Sequence, residues 1–364
     1  MSRLAGFLTA GAILLVIGGL LIGCSDDDKS VAPVGEWSWS PLGSGMSRYV
    51  EGGGTYDNKL ISIGQFDSAG GVSANHIASW NGAAWSPLGT GVNSDLSIVT
   101  VYDGKLIVGG WLTHAGGTPA NYIAAWDGSS WSPLGSGMNN AVWALTVYDN
   151  KLIAGGQFTT AGGNPASYIA AWDGSTWSAL GSGMGAQVHS LAVWNNKLIA
   201  GGWFTSAGGA PAALIAAWDG SSWSALGSGM STVPDNAGVY ALTVYNGLLM
   251  AGGRFLTAGG TTVNHIASWN GSSWSPLGSG MSLAVLDLAV FDNKLIAGGE
   301  FDTAGGVEAS YIAAWNGSSW SALGSGTNNT IFDLATYGSR LIAGGMFTTA
   351  GDNSARYIAE WSRK

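Results

Sequence analysis

Short apolar runs separated by small polar breaks recur along most of the chain, and residues 141–181 show the pattern whole. "AVWALTVYD" is apolar and β-branched, and "KLIAGGQF" follows it across Asp149–Asn150. A longer polar stretch, "TTAGGNPAS", leads into "YIAAW", and Asp173-Gly174 leads into the short run "TWSALG". Runs of this length, bounded by Gly, Asn and Asp, predict four strands. The first and second are joined by a tight turn, the second and third by a loop. The third and fourth are expected to meet in a two-residue Asp-Gly hairpin turn. The same step returns at Asn81-Gly82, Asp127-Gly128, Asp219-Gly220, Asn270-Gly271 and Asn316-Gly317. No stretch of the unit has the period of an amphipathic helix.

The unit is a repeat. "PLG" or "ALG" begins at residues 41, 87, 133, 179, 225, 276 and 322, a spacing of 46 residues with one of 51. A "GG" pair, "IG" in its first copy, begins at 63, 109, 155, 201, 252, 298 and 344. "IAxW" begins at 77, 123, 169, 215, 266, 312 and 358. Four short strands in a unit of about 40–50 residues is the pattern of a propeller blade. The copies are out of phase with the chain: "EWSWSPLG" (36–43) is a fourth strand with no first three, and the final "RYIAEWSRK" is a third strand with no fourth. An open array would need polar caps at both ends, whereas a ring lets the first strand complete the last blade and hides the sheet edges. The expected fold is therefore all-β, a closed seven-bladed β-propeller of four-stranded blades over residues 36–364. Trp80, Trp126, Trp172, Trp218, Trp269, Trp315 and Trp361 fall in third strands, and Trp39, Trp85, Trp131, Trp177, Trp223, Trp274 and Trp320 in fourth strands. These are expected to pack between adjacent blades.

Composition refines this picture. Glycine accounts for 60 of 364 residues, where about 7% is ordinary, and few residues are charged. Low complexity would give the same figures, but 19 Trp, 11 Tyr and 9 Phe require a core. The glycines are read as turns and close backbone approaches. A net charge of −9 with no basic run sets nucleic-acid binding aside. One cysteine excludes an intramolecular disulfide.

That cysteine has another reading. "MSRLAGFLTAGAILLVIGGLLIGC" places Arg3 before an apolar run to Ile22, the layout of a secretory signal. A transmembrane helix is the alternative. "LIGC" (21–24) resembles the bacterial lipobox. The resemblance implies that 1–23 is a lipoprotein signal peptide and that Cys24 carries the lipid, anchoring the protein to a membrane through several acyl chains. "SDDDKSVAPVGE" follows, so 24–35 is read as the lipidated cysteine and a flexible tether. Ser25 after the cysteine, in place of Asp, favours the outer membrane of the bacterial envelope.

"GGQFTTAGG…YIAAWDGSTWSALGSGM" resembles kelch-type propeller repeats. It resembles more closely the extracellular propeller repeats of fungal cortical polarity markers and of bacterial surface proteins, over residues 36–364. The resemblance implies a fold more than an activity. Galactose oxidase is the enzyme precedent, but its copper site needs a tyrosine cross-linked to a cysteine, and the cysteine here is assigned to lipid. His76, His114, His189 and His265 are read as exposed on loops, with no ligand cluster around them. No metal, no cofactor and no catalytic set is expected, and the protein is read as non-enzymatic.

Two columns vary where the rest of the repeat does not. The residue after the paired glycines is Gln65, Trp111, Gln157, Trp203, Arg254, Glu300 or Met346. A first-strand position is Glu51, Ser97, Trp143, His189, Tyr240, Leu286 or Phe332. First strands line the channel of a propeller, so the second column is expected at or beside the axis. The whole first column, with Trp143, His189 and Tyr240, forms the candidate ligand- or partner-binding set; relaxed packing is the competing reading. The longer connections, including the insertion in "MSTVPDNAGVY" (230–240), leave on one face, the candidate contact surface. The expected function is a membrane-anchored recognition or scaffold lipoprotein holding a protein or glycan on that face. The alternatives are a surface coat formed by self-association, for which low charge weakens repulsion, and an enzyme with its site at the channel mouth.

Overall fold

The computed structural model describes residues 35–232 and 236–364. The signal-like run, Cys24 and the tether to residue 34 lie outside the described residues, as do 233–235 of the insertion. Among the described residues no helix is long and apolar enough to cross a membrane.

Seven four-stranded antiparallel sheets form the ring, numbered here from blade 1, which begins at Val50, to blade 7. Blade 3 is representative: Val142–Tyr148 lies innermost, followed outward by Lys151–Gly156, Ile169–Trp172 and Trp177–Ala179. In blade 7 the outermost strand is Trp37–Pro41, paired with Ile358–Arg363 so that Trp39 faces Trp361. Trp177 faces Trp172 in the same way in blade 3. The first strand of the chain thus completes the last blade, and the ring is closed.

The turns follow from their residues. Tyr148 pairs with Lys151, leaving Asp149 and Asn150 alone in the turn with φ of 49° and 56°. That is a type I′ hairpin, whose twist matches the strands it joins. The turn between third and fourth strands departs from the two-residue expectation. Trp172 pairs with Trp177, so four residues, Asp173 to Thr176, make the loop. A two-residue I′ turn needs positive φ at both centres, and of these four only Gly174 has it, at 101°. The Asp173 side chain builds the loop instead: its Oδ1 accepts from the backbone N–H of Ser175 at 2.8 Å and of Thr176 at 2.7 Å. The connection between second and third strands is more than a loop, for Thr160–Ala161 and Asn164–Pro165 pair as a small hairpin.

The core lies between blades. Ile107 and Ile123 of blade 2 pack with Leu145, Leu152 and Phe158 of blade 3, and each junction repeats this layer. Trp177 donates its indole N–H to the Leu134 carbonyl of the preceding blade at 3.0 Å. Equivalent bonds occur at all seven junctions, including the closure, where Trp39 donates to Leu323 at 2.9 Å. Trp172 leans on Trp177 at 5.3 Å between ring centroids. The repeated tryptophans are therefore interblade packing, as expected.

Candidate functional site at the channel mouth

In every blade the innermost strand carries a β-bulge, and the bulged residue is the variable one. In blade 3 Val142 faces Gly156 and Ala144 faces Gly155, so Trp143 has no partner. The same interruption falls at Glu51, Ser97, His189, Tyr240, Leu286 and Phe332. A bulge re-aims one side chain while its neighbours stay in register. Val142 and Ala144 remain buried in the layers between blades, and Trp143 turns to the axis.

The paired glycines are what the bulge requires. A Cβ on Gly156 would sit 2.2 Å from the Ala141 carbonyl oxygen, and one on Gly155 would sit 2.5 Å from Val188 of the next blade. Blade 1 solves the second contact differently. Ile63 stands where the others have glycine, and Gly52 across the ladder makes room, since a Cβ there would lie 3.0 Å from the Ile63 side chain.

The seven bulged side chains surround one cavity of about 320 Å³ at the end of the channel on the long-connection face. All seven are half-buried. Its walls are unlike one another. Trp143 and His189 stack with centroids 4.6 Å apart, and Tyr240 meets His189 edge-on at 5.6 Å. Leu286 and Phe332 make an apolar wall, and Glu51 and Ser97 a polar one.

The residues after the glycines form a second ring touching the first. Trp203 packs on His189 at 4.7 Å and Trp111 approaches Trp143 at 6.5 Å, giving an aromatic arc across blades 2 to 5. Trp111 and Trp203 are 45% and 42% exposed, unusual for their size. On the other side Gln65 donates to Glu51 at 2.6 Å and Arg254 pairs with Glu300. Gln157 and Met346 are half-buried members of this ring.

Burial sets the electrostatics. It pushes the Glu51 carboxyl up to about 6, with the Gln65 bond opposing and the charge of Asp95 adding. Burial pushes His189 down to about 4, so its imidazole is neutral near pH 7, and its Nε2 is buried without a hydrogen-bond partner among the described residues. Directly below the bulges lie two carboxylates that the sequence reading passed over, Asp287 and Asp333. Asp287 accepts from the Leu334 N–H of the next blade at 2.7 Å. Burial, and for Asp287 the charge of Asp333, pushes both carboxyls upward. A signal for them existed: their column otherwise reads Gly52, Ile98, Ala144, Ser190 and Ala241, with no charge in it.

The histidines are mostly not exposed on loops. His114 is exposed, but His265 is 7% exposed, His76 is half-buried 3.3 Å from Asp95, and His189 lines the cavity. His76 and His265 share a repeat position with Tyr122, Tyr168, Leu214, Tyr311 and Tyr357, and all seven have φ between 63° and 72°. Left-handed backbone at such bulky residues is strained. It is held by paired backbone bonds: Tyr168 N–H donates to Phe158 and its carbonyl accepts from Gly156. Among the described residues no three His, Cys, Asp or Glu side chains are grouped to hold a metal ion.

Comparison with known proteins agrees with this architecture. A family model described as a beta-propeller domain of unknown function, DUF5122, matches residues 103–124 and 149–170, the second strands of blades 2 and 3 with the connection that follows and the start of the third strands. No curated protein matches the chain. Among solved structures, the extracellular domain of a protein described as a hybrid two-component system, BT4673 of B. thetaiotaomicron, is similar with a TM-score of 0.61 at 11% identity, over 90% of this chain. The match spans 39% of that chain. The WD40 propeller domain of Doa1 has a TM-score of 0.58 at 15% identity, over 91% of this chain and 98% of its own. The computationally designed protein Ika8 has a TM-score of 0.53 at 16% identity, over 87% of this chain and 97% of its own. At these identities the likeness is one of fold.

Proposed function

We propose that this protein is a non-enzymatic recognition or scaffold lipoprotein of the bacterial envelope, holding a protein or glycan partner against the long-connection face of its propeller. One observation carries the reading: the two columns that differ among otherwise near-identical blades converge on a single mouth, with Trp111 and Trp203 exposed at its rim. Residues the fold needs are repeated, and residues gathered at the mouth are not. Large exposed aromatics around a polar-lined opening are a common basis of recognition.

The path of the chain supports the same orientation. Trp37 pairs with Arg363 at the short-turn end of blade 7, and the strand runs from there toward the long-connection face. A lipid at Cys24 would enter from the short-turn side, since the 13 residues from Cys24 to Glu36 reach at most about 40–45 Å. Attachment at that end leaves the mouth free to face away from the membrane. The extracellular placement of the BT4673 propeller is in keeping with such a location.

The test is capture of partners from envelope extracts by the full-length chain and by a Trp111→Ala, Trp203→Ala variant. The variant is expected to keep its circular dichroism spectrum and lose the captured partner. Capture undiminished by removal of both rings would refute the reading.

A further inference from the structure

We propose that the axial cup binds an organic cation, an ammonium group seated at Glu51 and carried on a compact apolar body packed against Trp143, Leu286 and Phe332. This deepens the reading of that face as a recognition surface, and rests on it for the direction of access.

Four features of the cup lead to this ligand class. Its volume of about 320 Å³ is at the lower end of small-molecule sites, which favours a compact guest. Its lining is mainly apolar and aromatic, with Glu51 the one charged member. No cation answers that charge: no Lys or Arg lines the cup among the described residues, and Arg254 at the rim is engaged by Glu300. Asp287 and Asp333 lie just below, but burial favours their neutral forms, so the charge that a ligand would answer is that of Glu51. Carboxylates taken partly out of water are costly unless a positive group compensates them. A cup of this kind repels anions and gains most from a cation with an apolar body. The protein's charge of −9 draws such ligands from a distance. The aromatic side adds attraction for a cation that reaches a ring face.

The balance between an ammonium and a neutral ligand such as a sugar is decided by Glu51. A neutral ligand would hydrogen-bond to it and leave the charge uncompensated. A cation compensates it.

The experiment is isothermal calorimetry on the full-length chain at about pH 8, where an alkylammonium keeps its proton. The probes are benzylammonium and benzyl alcohol, its uncharged counterpart. Benzylammonium is expected to bind one site per chain at least about tenfold more tightly than the alcohol. Glu51→Gln is expected to reduce that preference to about twofold or less. Ser97→Lys, which places a tethered ammonium on the same wall, is expected to do the same and serves where the first variant fails to fold. Equal affinity for the two probes, or a preference unchanged in either folded variant, overturns the proposal. So does binding of glucose in preference to the amine. The rim is scored separately: loss of amine binding in Glu51→Gln with capture of the envelope partner intact supports both readings. Absence of amine binding in the wild-type chain with capture intact overturns the cup alone.

Discussion

The paired glycines that end the second strand in blades 2 to 7 do different work from those in the turns. A Cβ at Gly156 would fall 2.2 Å from a backbone oxygen that the bulge fixes in place, so nothing flexible can give way. At Gly163 the nearest atom to a Cβ is the Ser136 hydroxyl at 4.0 Å, and only its φ of 82° resists a side chain. Gly156→Ala is therefore expected to destabilise the protein by about 3 kcal/mol through forced displacement of the bulge. Gly163→Ala should cost about 1–2 kcal/mol from left-handed strain alone. Urea unfolding followed by tryptophan fluorescence separates the two, and equal midpoints would show that the bulge is softer than its geometry implies.

Elements explain what could and could not be read ahead of the structure. Strand positions were legible because short apolar runs and Asx- and Gly-rich turns are local signals, and the interblade tryptophans because they recur with the repeat. The bulges were not, since one unpaired residue leaves the apolar run around it looking unbroken. Trp143 reads as one more apolar residue in "AVWALTVYD", yet it is the one turned to the axis. The variation of its column pointed to the site without revealing the device that makes it. The Asp-Gly turn was misjudged for a similar reason: the pair reads as a turn by itself, and the following Ser and Thr that lengthen it carry no signal of their own.

The same elements predict a response to pH. Asp127, Asp173 and Asp219 cap their four-residue loops by accepting backbone N–H bonds, which hold their carboxyls far below the ordinary value of 3.8. Their contribution is present above about pH 4 and lost as acid protonates them. Glu51 runs the other way. Its folded value of about 6 exceeds its ordinary 4.5, so the folded state holds the proton more tightly. Stability from this group is full below pH 4.5 and falls by about 2 kcal/mol as pH rises through 6. Asp287 and Asp333 act in the same direction. Stability is expected to peak between about pH 4 and 6. Asp333→Asn should raise stability at pH 8 by about 1–2 kcal/mol, a modest figure because the residue is only half-buried. It should change little at pH 4. A variant less stable than wild type at pH 8 would mean that the carboxylate is ionised and compensated in the fold.

At the scale of the whole ring the decisive element is the first strand. Six blades are continuous stretches of chain, and only blade 7 joins residues from both ends, Trp37–Pro41 against Ile358–Arg363. Its seam is built like the other junctions, with Trp39 donating to Leu323 as Trp177 does to Leu134. Closure therefore adds no new kind of contact, yet its loss differs from the loss of any other strand pairing. Without residues 1–41 the last sheet would end in an unpaired row of backbone donors and acceptors, a template for another chain. The truncated protein is expected to form oligomers by size-exclusion chromatography with light scattering. A peptide spanning residues 36–43 should return it to a monomer by adding the missing strand in trans. A peptide with Trp39→Phe should bind more weakly, by about 1–3 kcal/mol, because the Leu323 carbonyl is then buried without its donor. The three outcomes are linked by one cause: if the edge is what associates, the peptide that fills it must abolish association, and the indole N–H must matter in proportion. A truncated chain that stays monomeric with an unchanged unfolding midpoint would mean that the other six junctions hold the ring without its seam.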